Sequence, residues 1–315
     1  MKLSESGTEK LDICFISDPT RPTVDHHFAD LIKNRNGWHN LLFFLPLVQF
    51  VPSLGNVFIY GSFDEFERLI ARENYTLWPS YDNITSKKYL CFDILALFHT
   101  HAQKNNPLQL RVPPALTKWA GEFFERHALP RVPITVNLRN NSLIQPHRNS
   151  NIEAWLEFFD YCNDRYPVTF IVVCAKSEID DRLRSRKNVV LAKDQQTSME
   201  QDLVLTRLSA FHLGTASGAG AWPVFTDKPY LISGATNIMP MIRDYGSTVV
   251  LLSPTHARFS FAKEHQNIIL VKEDRDQLIQ EFETIWNSAS SETWMADIVR
   301  ESSKPKEVDS LRWLR

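Results

Sequence analysis

Residues 133–139 read PITVNLR, residues 151–165 read NIEAWLEFFDYCNDR and residues 168–174 read VTFIVVC. The first and third are short, rich in β-branched residues and bounded by polar turns, as strands are. The third is apolar without alternation, the pattern of a strand covered on both faces. Between them, Ile152, Trp155, Leu156 and Phe159 fall on one side of a helix of 3.6 residues per turn. A strand, an amphipathic helix and a buried strand in series predict a parallel sheet with helices on its faces.

The same alternation continues outward. NVVLAK (188–193) is a strand, SMEQDLVLTRLS (198–209) a helix and AFHLG (210–214) a short strand. YLIS (230–233) and STVVLLS (247–253) are further strands, and DRDQLIQEFETIWNSA (274–289) closes as a helix. In the first half, LDICFIS (11–17) and NVFIYG (56–61) read as strands. SFDEFERLIARE (62–73) is a helix, with Ser62 and Glu65 at the spacing of a capping box. LCFDILALFHTHAQK (90–104) reads as a buried helix, and Pro107, Pro113 and Pro114 interrupt the pattern between the halves. The expected fold class is therefore α/β. The expected domains are an N-terminal α/β domain over 1–115, a C-terminal Rossmann-like domain over 116–290 and a tail over 291–315.

Composition narrows the partners. The 315 residues are 43% hydrophobic and 23% charged, with a formal net charge of -2, which offers no bulk attraction for nucleic acid. Arg182, Arg184 and Arg186 follow Asp180 and Asp181, an order that suits the dipole of a solvated helix. Four cysteines without metal-ligand spacing, and a polar start in place of a signal peptide, lead us to expect a cytoplasmic protein. In the tail, Leu311, Trp313 and Leu314 lie beside Arg312 and Arg315. Such a segment packs back on its own chain or docks peripherally on a membrane.

In parallel sheets ligands bind beyond the carboxyl ends of the strands. That rule selects Asn137 and Arg139, then Lys176 after VTFIVVC, then the cluster Gly214, Thr215, Ser217, Gly218 and Gly220. Three of the chain's ten glycines fall within these seven positions. Glycine lets backbone amides approach a phosphate, and a guanidinium grips two of its oxygens. The cluster is neither a Walker loop nor a complete dinucleotide fingerprint. A nicotinamide oxidoreductase would also want glycines after the first strand, where the chain has DPTRPTVD instead. Asn149 or Ser150 has a second reading, as the N-cap of the helix from Ile152.

VNLRNN, PHRNSNIEAWLEFF and LSAFHLGTASGAGAWPVFTDKPYLIS together resemble a family of bacterial surface-carbohydrate glycosyltransferases, similar to the fucosyltransferase and heptosyltransferase kind. The resemblance covers roughly residues 131–235. It implies a GT-B arrangement, two Rossmann-like domains with parallel sheets facing a cleft. It also implies metal-independent, inverting transfer of a sugar from a nucleotide-sugar donor to a glycan or lipid-linked saccharide, in surface polysaccharide synthesis, with no cofactor. Arg139 would hold the donor diphosphate. Arg148, Asn149, Ser150, Thr215, Ser217 and Gly218 would line the same rim. A base on the first domain, Asp25 or His26, would deprotonate the acceptor. The family's usual histidine is Asn137 here, and its usual proline is Ala219. The alternative is a non-catalytic binding module of the same fold.

Overall fold

A computed structural model describes residues 10–16, 18, 44–73, 75–77, 80–85, 110–142, 146–217, 219–234 and 249–288. The chain divides into two compact units, Met1–Arg111 and Val112–Arg315.

In the first unit, β1 (Leu11–Ile16) and β2 (Leu54–Tyr60) pair in parallel. Helix α1 (Phe63–Arg72) follows β2 and begins with the expected capping box. Ser62 Oγ accepts from the Glu65 amide, and the Glu65 carboxylate accepts from the Ser62 amide. A third acceptor comes from afar: Asp18 Oδ2, just past β1, takes the Phe63 amide at 2.9 Å. A carboxylate suits that end of a helix, where free N–H groups and the dipole are both positive. A short α2 (Tyr81–Thr85) follows. The apolar residues Leu45–Phe50 form a 3-10 turn. The helix expected over 90–104 lies outside the described residues.

The second unit opens with α3 (Pro114–His127). Two of the prolines that interrupt the sequence pattern, Pro113 and Pro114, start this helix, because proline at the first helical position loses no hydrogen bond. Then come β3 (Val132–Asn137), α4 (Ile152–Asn163), β4 (Val168–Val172), β5 (Val189–Leu191), α5 (Met199–Leu208), β6 (His212–Thr215), β7 (Tyr230–Ser233), β8 (Val249–Leu251), β9 (His256–Phe259), β10 (Gln266–Ile269) and α6 (Arg275–Ser288).

These strands form one sheet in the order β5-β4-β3-β6-β7-β10-β9-β8. The first six are mutually parallel, and β9 and β8 add an antiparallel edge. Counted from β3, the parallel part runs 3-2-1-4-5-6, the order of doubly wound nucleotide-binding sheets. Helices α4 and α6 pack together, as do α3 and α5. The side of α4 and α6 holds an aromatic core. Trp155, Phe158 and Phe159 of α4 meet Phe170 of β4, Phe211 and Phe282 of α6, all essentially without solvent contact. The strand QNIIL, which follows no alternating pattern, is the sixth parallel strand.

The arginine run is a 3-10 turn, Asp181–Ser185, not an α-helix. Arg182 meets Asp180 and Glu153, Arg184 meets Asp194 and Asp181, and Arg186 meets Asp160. Every cation in the run has a carboxylate against it, so the run is no basic patch. Among the described residues no helix is long and apolar enough to cross a membrane.

His212 of β6 is buried, with Thr135 Oγ1 3.0 Å from Nδ1. Burial drives its pKa from 6.5 down to about 3. The unfolded chain takes up this proton below its ordinary value and the folded chain does not. Stability should therefore fall as pH drops from about 6.5 toward 3, by up to ~1.4 kcal/mol per pH unit from this group. Melting curves from pH 7 to 5 should be flatter for His212→Gln than for the natural chain. Parallel curves would show that His212 does not titrate in this way.

Candidate functional site

The sheet changes winding direction between β3 and β6, which are neighbours. The chain leaves β3 toward β4 on one side and leaves β6 toward β7 on the other. Loops diverging this way open a crevice at the carboxyl ends of the two strands. Arg139, Arg148 and Ser150 follow β3, Thr215 ends β6 and Ser217 lies just past it, so these five of the selected residues meet at one place.

After β3 the chain makes an excursion that returns on itself. The Arg139 amide donates to Ser150 Oγ at 2.9 Å, and the Ser150 amide donates to the Arg139 carbonyl at 2.8 Å. Asn149 braces the inside of this loop. Its Oδ1 accepts from the Asn141 amide at 2.9 Å, and its Nδ2 donates to the Asn141 carbonyl at 3.0 Å. Neither Asn149 nor Ser150 caps α4. The N-cap position is Asn151, whose side chain makes no capping bond. Glu273, four residues past β10, does that work instead: its Oε1 accepts from the Asn151 amide at 3.3 Å and from Trp155 Nε1 at 3.2 Å. One of the free amides at the positive end of α4 is thus taken by the protein's own carboxylate.

The glycine-rich turn is explained first by close packing of the chain. A Cβ on Gly214 would lie 2.5 Å from the Asn137 carbonyl oxygen and 2.8 Å from its nitrogen, and φ there is +155°. A Cβ on Gly220 would lie 2.8 Å from the Thr215 carbonyl oxygen. The Ala216 amide donates to the Ser233 carbonyl at 2.9 Å, and the Gly220 amide to Ser217 Oγ at 3.4 Å. These two amides are engaged inside the protein, contrary to the expectation of bare main-chain donors. Gly218 lies outside the described residues.

The polar side chains of the turn also bond inward. Ser217 Oγ donates to Asn137 Oδ1, and Asn137 Nδ2 donates to the Val173 carbonyl at 2.6 Å. Asn137, 3% exposed, ties three strand ends together. Thr215 Oγ1 donates to Glu273 Oε1 at 3.3 Å and contacts Ser150 Oγ in a short hydrogen bond.

Two guanidiniums remain at the rim. Arg148 Nη2 donates to the Ala216 carbonyl at 2.6 Å, fastening the β3 excursion to the β6 turn. Its pKa is lowered, first by burial and then by the positive charge of Arg139 nearby. Two cations held together in a partly desolvated place repel each other, and an anion between them relieves that repulsion. Lys176 lies past β4 in a 3-10 turn, Lys176–Glu178, where it is exposed.

Asp25 and His26 lie outside the described residues. Asp18 is described, and it serves the amino end of α1. Among the described residues, no group of three His, Cys, Asp or Glu side chains is placed to hold a metal ion. Glu273 escaped the sequence reading because the strand before it did. Once QNIIL is seen as a parallel strand, the strand-end rule points to the residues just beyond it.

No protein-family model matches the chain, and no curated protein matches it. A solved structure, the glycosyl transferase family 9 protein from Veillonella parvula DSM 2008, has 11% identity over 58% of this chain and 55% of its own, with a TM-score of 0.42. The match spans about half the length of that structure, and likeness at this level assigns neither a family nor an activity.

Proposed function

We propose that this protein is a GT-B-type glycosyltransferase that binds the diphosphate of a nucleotide-sugar donor at the rim formed by Arg139 and Arg148. The observation carrying the reading is the placement of two guanidiniums at the switch point of a doubly wound sheet. That is where such sheets bind nucleotides, and guanidinium is the side chain best shaped for phosphate. The sequence resemblance over roughly residues 131–235 supports the choice of glycosyl transfer among nucleotide chemistries.

In the proposed reaction an acceptor hydroxyl attacks the anomeric carbon of the sugar. The bond from that carbon to the diphosphate oxygen breaks, and its electron pair leaves with the nucleoside diphosphate. The acceptor's proton passes to a base, for which Asp25 and His26 are the candidates. Arg139 and Arg148 stabilise charge where it grows, on the departing diphosphate. Inversion at the anomeric carbon and a saccharide acceptor for surface polysaccharide belong to the same proposal.

Thermal melting against GDP-, UDP-, CMP- and TDP-sugars tests it. A ligand at 100 times its Kd adds about 2.7 kcal/mol of stability, which the melting temperature records. At least one nucleoside diphosphate sugar should raise it, and the free diphosphate should do so too. Binding followed by sugar transfer or slow hydrolysis marks an enzyme. Binding with neither marks a non-catalytic module, and no stabilisation by any member overturns the reading.

A further inference from the structure

Glu273 is 2% exposed and belongs to no position that sequence or resemblance selected. Three donors converge on its Oε1: the Asn151 amide, the Trp155 indole and the Thr215 hydroxyl. Its Oε2 is buried without a hydrogen-bond partner among the described residues, and a Cβ on Gly234, whose φ is +64°, would lie 3.3 Å from it. Its backbone carbonyl takes Asn151 Nδ2 at 3.1 Å. The carboxylate therefore joins the far end of β10 to the start of α4 and to the end of β6.

The proton arithmetic of the chain from Glu273 to Arg139 has one solution. The Glu273 oxygen that already receives the Asn151 amide and the Trp155 indole is an acceptor, so the single Thr215 hydroxyl proton points to it. In the contact between Thr215 and Ser150, Thr215 then accepts and Ser150 donates. Ser150 Oγ in turn accepts the Arg139 amide. The sequence Arg139 N–H to Ser150 O–H to Thr215 O–H to Glu273 runs in one direction, and neither hydroxyl keeps a proton for a ligand. Bonds aligned in this way polarise one another.

We infer that Glu273 is a positioning residue for the anion rim, setting the direction of the Ser150 and Thr215 hydroxyls and through them the backbone of Arg139. Ser150 and Thr215 then serve as struts, and recognition of phosphate falls to the guanidiniums. The consequence for ligand rests on the proposed function; the hydrogen-bond chain does not.

The test pairs a structural readout with a binding one on the full chain. Glutamine keeps the size of Glu273 and an acceptor oxygen where three donors converge, but that amide oxygen is a weaker acceptor than a carboxylate. In TROSY spectra of 15N-labelled protein, Glu273→Gln should move both the Trp155 indole proton and the Arg139 amide proton, the latter three hydrogen bonds away. Thr215→Val should move the Arg139 amide, and Thr215→Ser should restore it. Affinity for GDP or UDP, whichever the natural protein binds, should fall about tenfold in Glu273→Gln, the effect of one hydrogen bond to a charged group. It should fall in Thr215→Val and recover in Thr215→Ser.

Lower melting temperatures with the Arg139 amide and the affinity unchanged would overturn the inference, leaving Glu273 a stabilising residue only. Tighter binding in Glu273→Gln would overturn it too, since the carboxylate would then act merely as an opposing charge. Should Glu273→Gln not fold, the Thr215 pair decides. If the natural protein binds neither, the member of the panel that stabilises it is used instead; if none does, the transferase reading fails, and the Arg139 amide alone judges the chain.

Discussion

Arg148→Ala should lower affinity for a nucleoside diphosphate by roughly 10- to 150-fold, the range set by about 1.5–3 kcal/mol for a hydrogen bond to a charged group. Arg139→Ala should do the same, and the double variant should abolish thermal stabilisation by nucleotide. The two losses should not add, because each guanidinium lowers the cost of removing the other: the survivor no longer faces a neighbouring like charge. Arg148 has a second duty, its 2.6 Å bond to the Ala216 carbonyl, so Arg148→Ala also loosens the β6 turn. Arg148→Lys separates the two roles. Lysine keeps a charge at the rim but lacks the planar fork, and its binding should be intermediate. Isothermal titration at two salt concentrations checks this, since a diphosphate held by guanidiniums binds more weakly as ionic strength rises. Unchanged affinity in Arg139→Ala and Arg148→Ala alike would remove the ground for the proposed function.

Gly214→Ala should be among the most destabilising single substitutions in the second unit, by about 3 kcal/mol or more, the combined scale of overpacking and backbone strain. The added carbon would press on the nitrogen and carbonyl oxygen of Asn137. Those are backbone atoms inside a paired strand, so no side chain can swing aside. For a domain of this size, 3 kcal/mol corresponds to a fall of about 6–12 °C in melting temperature. Gly61→Ala is the control, because a Cβ there meets nothing within 4 Å. It should leave stability unchanged or raise it slightly by restricting the unfolded chain. Equal melting temperatures for Gly214→Ala and the natural chain would show that β6 does not press against β3 as described.

Arg139 and the glycine cluster were legible from pattern alone because both follow apolar runs. An apolar run of five or six residues between turns announces a strand, and the residue after it announces a strand end. Helix α1 was legible for a similar reason, since Ser62 and Glu65 carry their capping partners within one turn. Glu273 was not legible. Its partners at Asn151, Trp155 and Thr215 are 122, 118 and 58 positions away in sequence, and no local pattern records such distances. Helix α3 was hidden by the prolines at its own start, which read equally as a break.

The role of the hydroxyls shows where pattern reading stops. Ser150, Thr215 and Ser217 look like phosphate donors in a sequence, and Gly214 and Gly220 look like clearance for a ligand. In the fold each of these hydroxyl protons points to a protein acceptor, and each of these two glycines clears room for protein backbone. Periodicity and residue type, which are local quantities, settled the α/β class, most elements of the second unit and the positions of its strand ends. Only the folded chain decided the strand order that puts β3 beside β6, the contact of Glu273 with the start of α4 and the pairing of Arg139 with Arg148. Those depend on contacts between residues tens to more than a hundred positions apart, brought together by burial of a shared core.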